Sequence, residues 1–298
     1  MTIAAPAITI DEFITGEKIA SICDLNTETD NDYIDKIKQS DELILTIYSH
    51  THNLSKKIME IVQTGKRLII ITHNSDGNIK DSNIRPEYDY QWKVINNIPF
   101  WYCQNNLIYH ASITPLPIGL ENKCIFTPDI KQHYMVCSRG KKEKKEIRLF
   151  ICYNPETNKA ERYPPLELFK NKSWVTIQEG FNNINLYKSY FDTMNKCQFV
   201  LCPAGNGIDT HRLWESLYLG CIPIVKKYAF TEYFAAKLPL LVVNNWSEIT
   251  LKYLINKYQE MDRMDYNWDI LKISYWKNLI FTKKKEVANA IRSGDCKR

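Results

Sequence analysis

Residues 201–225 read LCPAGNGIDTHRLWESLYLGCIPIV. An apolar run ends at Pro203, Gly205, Asn206 and Gly207 follow, and Asp209, Thr210, His211, Arg212 and Glu215 then crowd the first turns of a helical pattern. Glycines after a strand let backbone N–H groups come close to a ligand. The N-terminus of the next helix adds unpaired donors and about half a positive charge. Together these make a seat for phosphate or pyrophosphate. The helix is expected to begin near Ile208, with Asp209 or Thr210 capping it through a side-chain oxygen. Arg212 supplies a planar fork of donors suited to phosphate oxygens. His211 and Glu215 are four residues apart and share a face. Glu215, one turn deeper, can accept from the two vicinal hydroxyls of a ribose. Phosphate donors followed by a hydroxyl acceptor is the order that a nucleotide-sugar requires.

Two other readings stay open on these residues. A helix of any α/β protein has a polar outer face, and strand–glycine–helix turns are common without function. GNGIDT (205–210) is also close to the dinucleotide fingerprint Gly-x-Gly-x-x-Gly. It lacks the third glycine, which serves close helix–strand packing. After the next strand stand Lys226 and Lys227 in place of an acid, which suits NADP better than NAD. A Walker loop is excluded because no Gly-Lys-Ser/Thr follows.

The elements that must position these residues alternate along the chain. LILTIYS (43–49) and RLIIITH (67–73) have the β-branched apolar character of buried strands. Between them, residues 53–65 place Leu54, Ile58, Ile61 and Val62 on one helical face and end at Gly65. A second helix is expected over 86–98, with extended segments at 99–104 and 112–120. The second half repeats the order, with strands at 147–153, 173–178, 198–202, 221–225 and 238–243 and helices at 185–197 and 208–220. This is an α/β protein of two Rossmann-like, doubly wound parallel-sheet domains, expected to face a central cleft. Ligands in such sheets bind outside the carboxyl ends of the strands. The boundaries expected are 1–138 for an amino-side domain and 139–250 for a carboxyl-side domain. Residues 251–298 are expected to form helices that pack back toward the first domain. The charged stretch SRGKKEKKEIR (138–148) reads as a solvated linker at the boundary. Its interleaved glutamates and lack of aromatics argue against a nucleic-acid clamp.

Bulk composition narrows the function classes. The 298 residues carry a net charge of +5, which favours anionic ligands without choosing among them. Nine cysteines form an odd count with no CxxC pair, so reduced core thiols of a cytoplasmic protein are expected, with no disulfide framework or zinc site. The amino terminus lacks the charged and apolar regions of a signal peptide, and no apolar run approaches the ~20 residues needed to cross a bilayer.

Residues 199–225 strongly resemble the donor-binding segment of exostosin-like glycosyltransferases of the compact bacterial and large-DNA-virus type. The shared run is Cys-Pro-x-Gly-Asn-Gly-x-Asp-Thr-His-Arg-x-Trp-Glu, continuing to Leu-Gly-x-Ile-Pro-Ile-Val. PLPIGLEN (115–122) and YNPETNKAER (153–162) also look like the family. The resemblance implies the GT-B architecture, transfer of a sugar from a nucleotide-sugar such as a UDP- or GDP-sugar to a glycan hydroxyl, inversion, and no bound metal or other cofactor. The partners it implies are that donor and a glycan acceptor, with no nucleic acid. The family often has Arg where this chain has Ala204. Arg162, Arg139 and Lys226 are the cations that can replace it.

Such a transfer needs a base for the acceptor hydroxyl and a stabiliser for the departing diphosphate. Gly205–Gly207, the helix N-terminus and Arg212 fill the second role. Asn154, Thr157 and Arg162, after the strand 147–153, are expected at the same site. The base is expected from strand ends of the amino-side domain. Asp76 comes first, because Asp or Glu often serves in this architecture, then His73 and His50. A stretch such as Asn-Ser-Asp-Gly is also ordinary turn chemistry. His211 reads as a donor-site contact rather than the base. A non-catalytic nucleotide- or sugar-binding protein would keep the donor loop without a usable base.

Overall fold

The alternation of β-branched runs with helical segments yields two five-stranded sheets, parallel throughout. The computed structural model describes residues 3, 6–51, 57, 60–80, 98, 100–122, 127–139, 145–179 and 184–293. The helix expected over 86–98 lies almost wholly outside the described residues.

The amino-side unit comprises Ile14–Ile118 with Lys272–Arg298. Its strands are β1 (Leu25–Asn26), β2 (Ile44–Ser49), β3 (Arg67–Thr72), β4 (Phe100–Cys103) and β5 (Ile113–Pro115), hydrogen-bonded in that order. Alternate residues of one face, such as Leu45, Ile47, Leu68, Ile70, Trp101 and Cys103, form a single buried cluster with Ile37 of helix Tyr33–Gln39. A parallel sheet that steps in one direction sends its right-handed crossovers to one face. Helix Ile273–Ser293, from the far end of the chain, packs against β2. Its Lys284 Nζ donates to both carboxylate oxygens of Asp24 at 2.9 and 2.8 Å. The helix after β2 closes at Gly65, whose φ of +72° only glycine adopts at little cost. The short β1 and helices Gly16–Ser21 and Tyr33–Gln39 were not anticipated. Each spans too few residues to show a period.

The carboxyl-side unit comprises Met1–Phe13 with Gly119–Leu271. Its strands are β6 (Ile147–Tyr153), β7 (Val175–Glu179), β8 (Cys197–Leu201), β9 (Ile222–Lys226) and β10 (Leu241–Val243), in spatial order β7-β6-β8-β9-β10. The chain therefore reverses its direction of travel between β6 and β8. That is the topological switch point, where the loops after two adjacent strands diverge and leave a crevice at their carboxyl ends.

The division between the units falls after Ile118, where the sequence suggested residue 138. Helix Pro128–Arg139 packs on helix Ile184–Asn195 of the carboxyl-side unit, with Tyr134 and Phe191 edge to face at 4.7 Å. Helix Leu251–Met261 also belongs to this unit, and the chain returns to the amino-side unit only from Lys272. The linker reading of 138–148 needs a correction at Lys145, which is buried. Its Nζ donates to Asn195 O at 2.7 Å and Leu219 O at 2.9 Å, tying together the carboxyl ends of two helices, where a cation is favoured. The seven described cysteines are all free thiols, five of them buried.

Candidate functional site

Both loops that flank the switch point are ones the sequence singles out. After β6 comes Asn154, whose side chain accepts from Glu156 N at 2.9 Å and caps the short 3-10 turn Pro155–Asn158. Thr157 is exposed on that turn. Helix Lys159–Phe169 then begins and buries Arg162. After β8 comes the glycine elbow 203–210, and then helix His211–Tyr218.

Arg162 joins the two loops. Its Nε donates to Ala204 O at 3.1 Å and its Nη1 to Asn154 O at 2.7 Å. Asn158 Nδ2 reaches Gly205 O at 2.8 Å. Of the three cations considered as replacements for an Arg at position 204, Arg162 has its guanidinium against the backbone of Ala204 and Gly205. Of the other two cations considered, Lys226 is committed to Glu161 at 3.0 Å, and the side chain of Arg139 lies outside the described residues.

Gly205 is a glycine for a spatial reason. A Cβ there would stand 2.7 Å from Arg162 Nη2, and Arg162 is held by two carbonyls. Gly205→Ala is expected to cost about 1–3 kcal/mol by overpacking and to weaken nucleotide binding. Thermal melting and calorimetric titration read the two effects.

The elbow departs from expectation in three places. Gly205 N–H donates to Gly207 O at 2.9 Å, so this amide closes the turn and is not offered to a ligand. The helix begins at His211, three residues late, because Gly205–Asp209 are used in the turn. Thr210 occupies the N-cap, but its side chain caps nothing. Asp209 is buried and its Oδ1 accepts from Trp214 Nε1 at 2.7 Å, since a buried indole N–H needs a partner. The first helical turn carries no acidic residue. Asn206 is exposed at the tip, while Gly207 is buried.

Arg212 stands at the centre. Its guanidinium and that of Arg162 each lie 5.6 Å from the ring of Tyr153, the last residue of β6. The two like charges repel, and each makes the other costlier to keep charged. Burial first, and Arg212 second, hold Arg162 down at about 10, so it stays cationic at neutral pH. Arg212 Nε and Nη1 are buried and have no hydrogen-bond partner. Buried donors of a charged group are almost always satisfied. Neither donor finds an acceptor in the polypeptide.

Glu215 is 5% exposed, and its Oε2 accepts from Tyr190 Oη at 2.7 Å. Burial raises its pKa, with the Tyr190 hydrogen bond, His211 and Arg212 pulling the other way. One carboxylate oxygen is thus already engaged, which restricts the two-hydroxyl reading to the other. His211 Nδ1 lies 2.8 Å from Gly119 O and its Nε2 3.3 Å from Glu121 Oε1. The PLPIGLEN segment therefore meets the same helix. Cys152 and Cys202 line this region, but burial pushes them up to about 11 and about 12, so neither is a thiolate nucleophile at neutral pH. A cavity of about 460 Å³ opens at the ends of β6 and β7, with Tyr153, Asn154, Glu156, Tyr163, Gln178 and Glu179 in its wall.

The candidate bases of the amino-side unit fare unequally. His73 is fully buried, with Nε2 at 2.9 Å from Pro117 O, so it is a structural histidine that no acceptor can reach. His50 is half-buried, with Nδ1 3.7 Å from Glu28 Oε2, beside the Lys57–Glu28 ion pair. Asp76 is exposed in the loop after β3. Sequence reasoning missed Tyr153, Asn158 and Tyr190. The first two sit inside or beside YNPETNKAER and were within reach of the strand-end argument. Tyr190 had no local signal.

No family model matches the chain. Over 75 residues it is 28% identical to a probable glycosyltransferase of Arabidopsis thaliana, a match that spans 25% of this chain and 15% of that protein. Among solved structures, α,α-trehalose 6-phosphate synthase from Burkholderia multivorans superposes with a TM-score of 0.51 at 10% identity, covering 89% of this chain and 75% of that one. The fold is that of the GT-B glycosyltransferases. An α,α-trehalose-phosphate synthase from Burkholderia vietnamiensis is also similar, with a TM-score of 0.47 and 11% identity over 82% of this chain and 72% of that one. The sequence match is to a glycosyltransferase over a quarter of this chain, and the structural likeness is one of fold. No described helix is long and apolar enough to cross a membrane.

Proposed function

We propose that this chain is an exostosin-like glycosyltransferase that moves a sugar from a nucleotide-sugar, such as a UDP- or GDP-sugar, to a hydroxyl of a glycan acceptor with inversion. The observation that carries the reading is the pair of buried, unpartnered Arg212 donors beside Arg162 at the switch point of the carboxyl-side sheet.

The chemistry follows from charge. As the anomeric C–O bond breaks, negative charge grows on the departing nucleoside diphosphate. Preorganised cationic donors lower that barrier without reorganising. Arg212 offers Nε and Nη1 to the phosphate oxygens. Arg162 holds the elbow through its two carbonyl bonds and adds the second positive charge. The helix start at His211, where the Thr210 side chain makes no cap, contributes its backbone dipole. In this reading the leaving group's charge is met by guanidinium and backbone donors, with no metal in the chemical step. Glu215 is the acceptor for a ribose hydroxyl, kept in place by Tyr190. The cavity at the ends of β6 and β7 is within the size range of small-ligand pockets. Asp76 is the base that takes the proton of the acceptor hydroxyl.

The test is a binding panel on the full chain. UDP, GDP, their sugar conjugates, inorganic pyrophosphate and NADP are compared by thermal shift and calorimetry. A ligand that binds only the folded state raises the melting temperature in proportion to RT ln(1 + [L]/Kd). A nucleoside diphosphate is expected to bind in preference to NADP, and its sugar conjugate to be turned over with an oligosaccharide acceptor. Preferential NADP binding would replace this reading with that of a dinucleotide-dependent oxidoreductase. Nucleotide binding without hydrolysis or transfer would leave only a binding protein.

A further inference from the structure

Two helices of the carboxyl-side unit bring three metal-ligating side chains to one point, away from the elbow residues. His133 and Cys137 are four apart on helix Pro128–Arg139 and so share a face. Asp192 comes from helix Ile184–Asn195, which packs against it. His133 Nε2 lies 2.8 Å from Asp192 Oδ1 and 3.7 Å from Cys137 Sγ. Cys137 Sγ lies 3.5 Å from Asp192 Oδ1.

We propose that His133, Cys137 and Asp192 form a zinc site. Tetrahedral zinc with ordinary bond lengths sets its ligand atoms about 3.4 Å apart for N and O and about 3.6 Å apart for either with S. Both sulfur separations already match those values within about 0.1 Å. The N–O pair must open by about 0.6 Å, which replaces one hydrogen bond by two bonds to the ion. The Cys/His/Asp donor set favours zinc over calcium or magnesium, which prefer all-oxygen shells. Three protein ligands leave a fourth position for water. His133 is 27% and Asp192 52% exposed at the side chain, so the ion has a way in.

The helix pair that carries the ligands is held from below. Tyr134, next to His133, and Phe191, next to Asp192, are fully buried and pack edge to face. Lys188 bridges the same two helices to Asp129 at 2.7 Å. The ligands are thus positioned before the ion arrives. Tyr134 Oη donates to Glu215 O at 2.9 Å, and Tyr190, on the second helix, holds the Glu215 carboxylate. An ion here clamps the two helices that orient Glu215. Binding takes the proton from the Cys137 thiol and needs the bare Nε2 lone pair of His133, so affinity falls as pH falls.

The full chain, stripped with a chelator and dialysed, is titrated with zinc against a chromophoric competitor, and in parallel with cobalt(II). One equivalent of zinc is expected, together with a thiolate-to-cobalt charge-transfer band and a zinc-dependent rise in melting temperature. Cys137→Ser is expected to lose the band and the zinc-induced shift. Asp192→Asn, at an exposed position that folding tolerates, is expected to lose the zinc-induced shift even if Cys137→Ser does not fold. Zinc bound with unchanged stoichiometry and affinity by Asp192→Asn, or no zinc bound by the stripped wild-type chain, overturns the proposal. Neither result touches the nucleotide site, which Arg212 tests separately.

Discussion

Replacing Arg212 by Ala is expected to weaken binding of the nucleoside diphosphate by about 100-fold or more, while the melting temperature holds or rises. Hydrogen bonds to a charged group contribute about 1.5–3 kcal/mol each, and 1.4 kcal/mol is a factor of ten in Kd. The stability half of the result is the more diagnostic. Arg212 Nε and Nη1 are buried without partners, so the free protein bears a desolvated charge that the substitution removes. The contact with the Tyr153 ring is lost at the same time, about 0.5–1 kcal/mol, which limits the gain. Sites that hold a ligand commonly carry such a stability cost. Arg212→Lys restores the charge without the fork and is expected to recover only part of the affinity. A variant that melts lower than wild type yet binds nucleotide unchanged would make Arg212 a structural residue and end the case for a diphosphate seat. Calorimetric titration and differential scanning on the same samples give both numbers.

Asp76→Ala is expected to leave nucleotide affinity unchanged and to lower the rate of sugar transfer by about 10²–10⁴, the range for loss of a positioned general base. The residue is exposed after β3, so its truncation touches no core. Surface changes of this kind usually stay within about 0.5 kcal/mol of stability. The assignment rests on elimination as well as position. His73 is sealed in the core against Pro117 O, and His50 is drawn to Glu28 beside Lys57. His50→Ala, made in parallel, is expected to cost less than Asp76→Ala in turnover measured at saturating donor. Equal transfer by wild type and Asp76→Ala would move the base elsewhere in the amino-side unit.

Local pattern carried much of the fold. Runs such as RLIIIT and CIPIV are β-branched and short, and their residues appear as β3 and β9 within one or two positions. Two-residue and three-residue periodicities are properties of neighbouring side chains, so they are legible without the rest of the chain. The same holds for the glycine elbow and for YNPETNKAER, each of which follows a strand that could be read directly. Short elements such as helix Gly16–Ser21 carry too few residues to show a period. The start of helix His211–Tyr218 was misjudged for a different reason. Residues Ile208–Thr210 fit a helix equally well, and the hydrogen bond that holds Gly205 to Gly207 is invisible in composition.

By itself the sequence determined that the chain alternates strands and helices, that a glycine elbow follows β8, and that an arginine and a glutamate stand one turn apart beyond it. Only the tertiary structure decided that β6 and β8 are neighbours, so that Arg162 closes the elbow from a helix 42 residues away. It decided likewise that Asp209 serves Trp214, that Tyr190 holds Glu215, and that His133, Cys137 and Asp192 meet. Periodicity records which face of an element turns inward. Which partner waits there depends on strand order and helix packing, which are settled by the burial of the whole core rather than by any one segment of it.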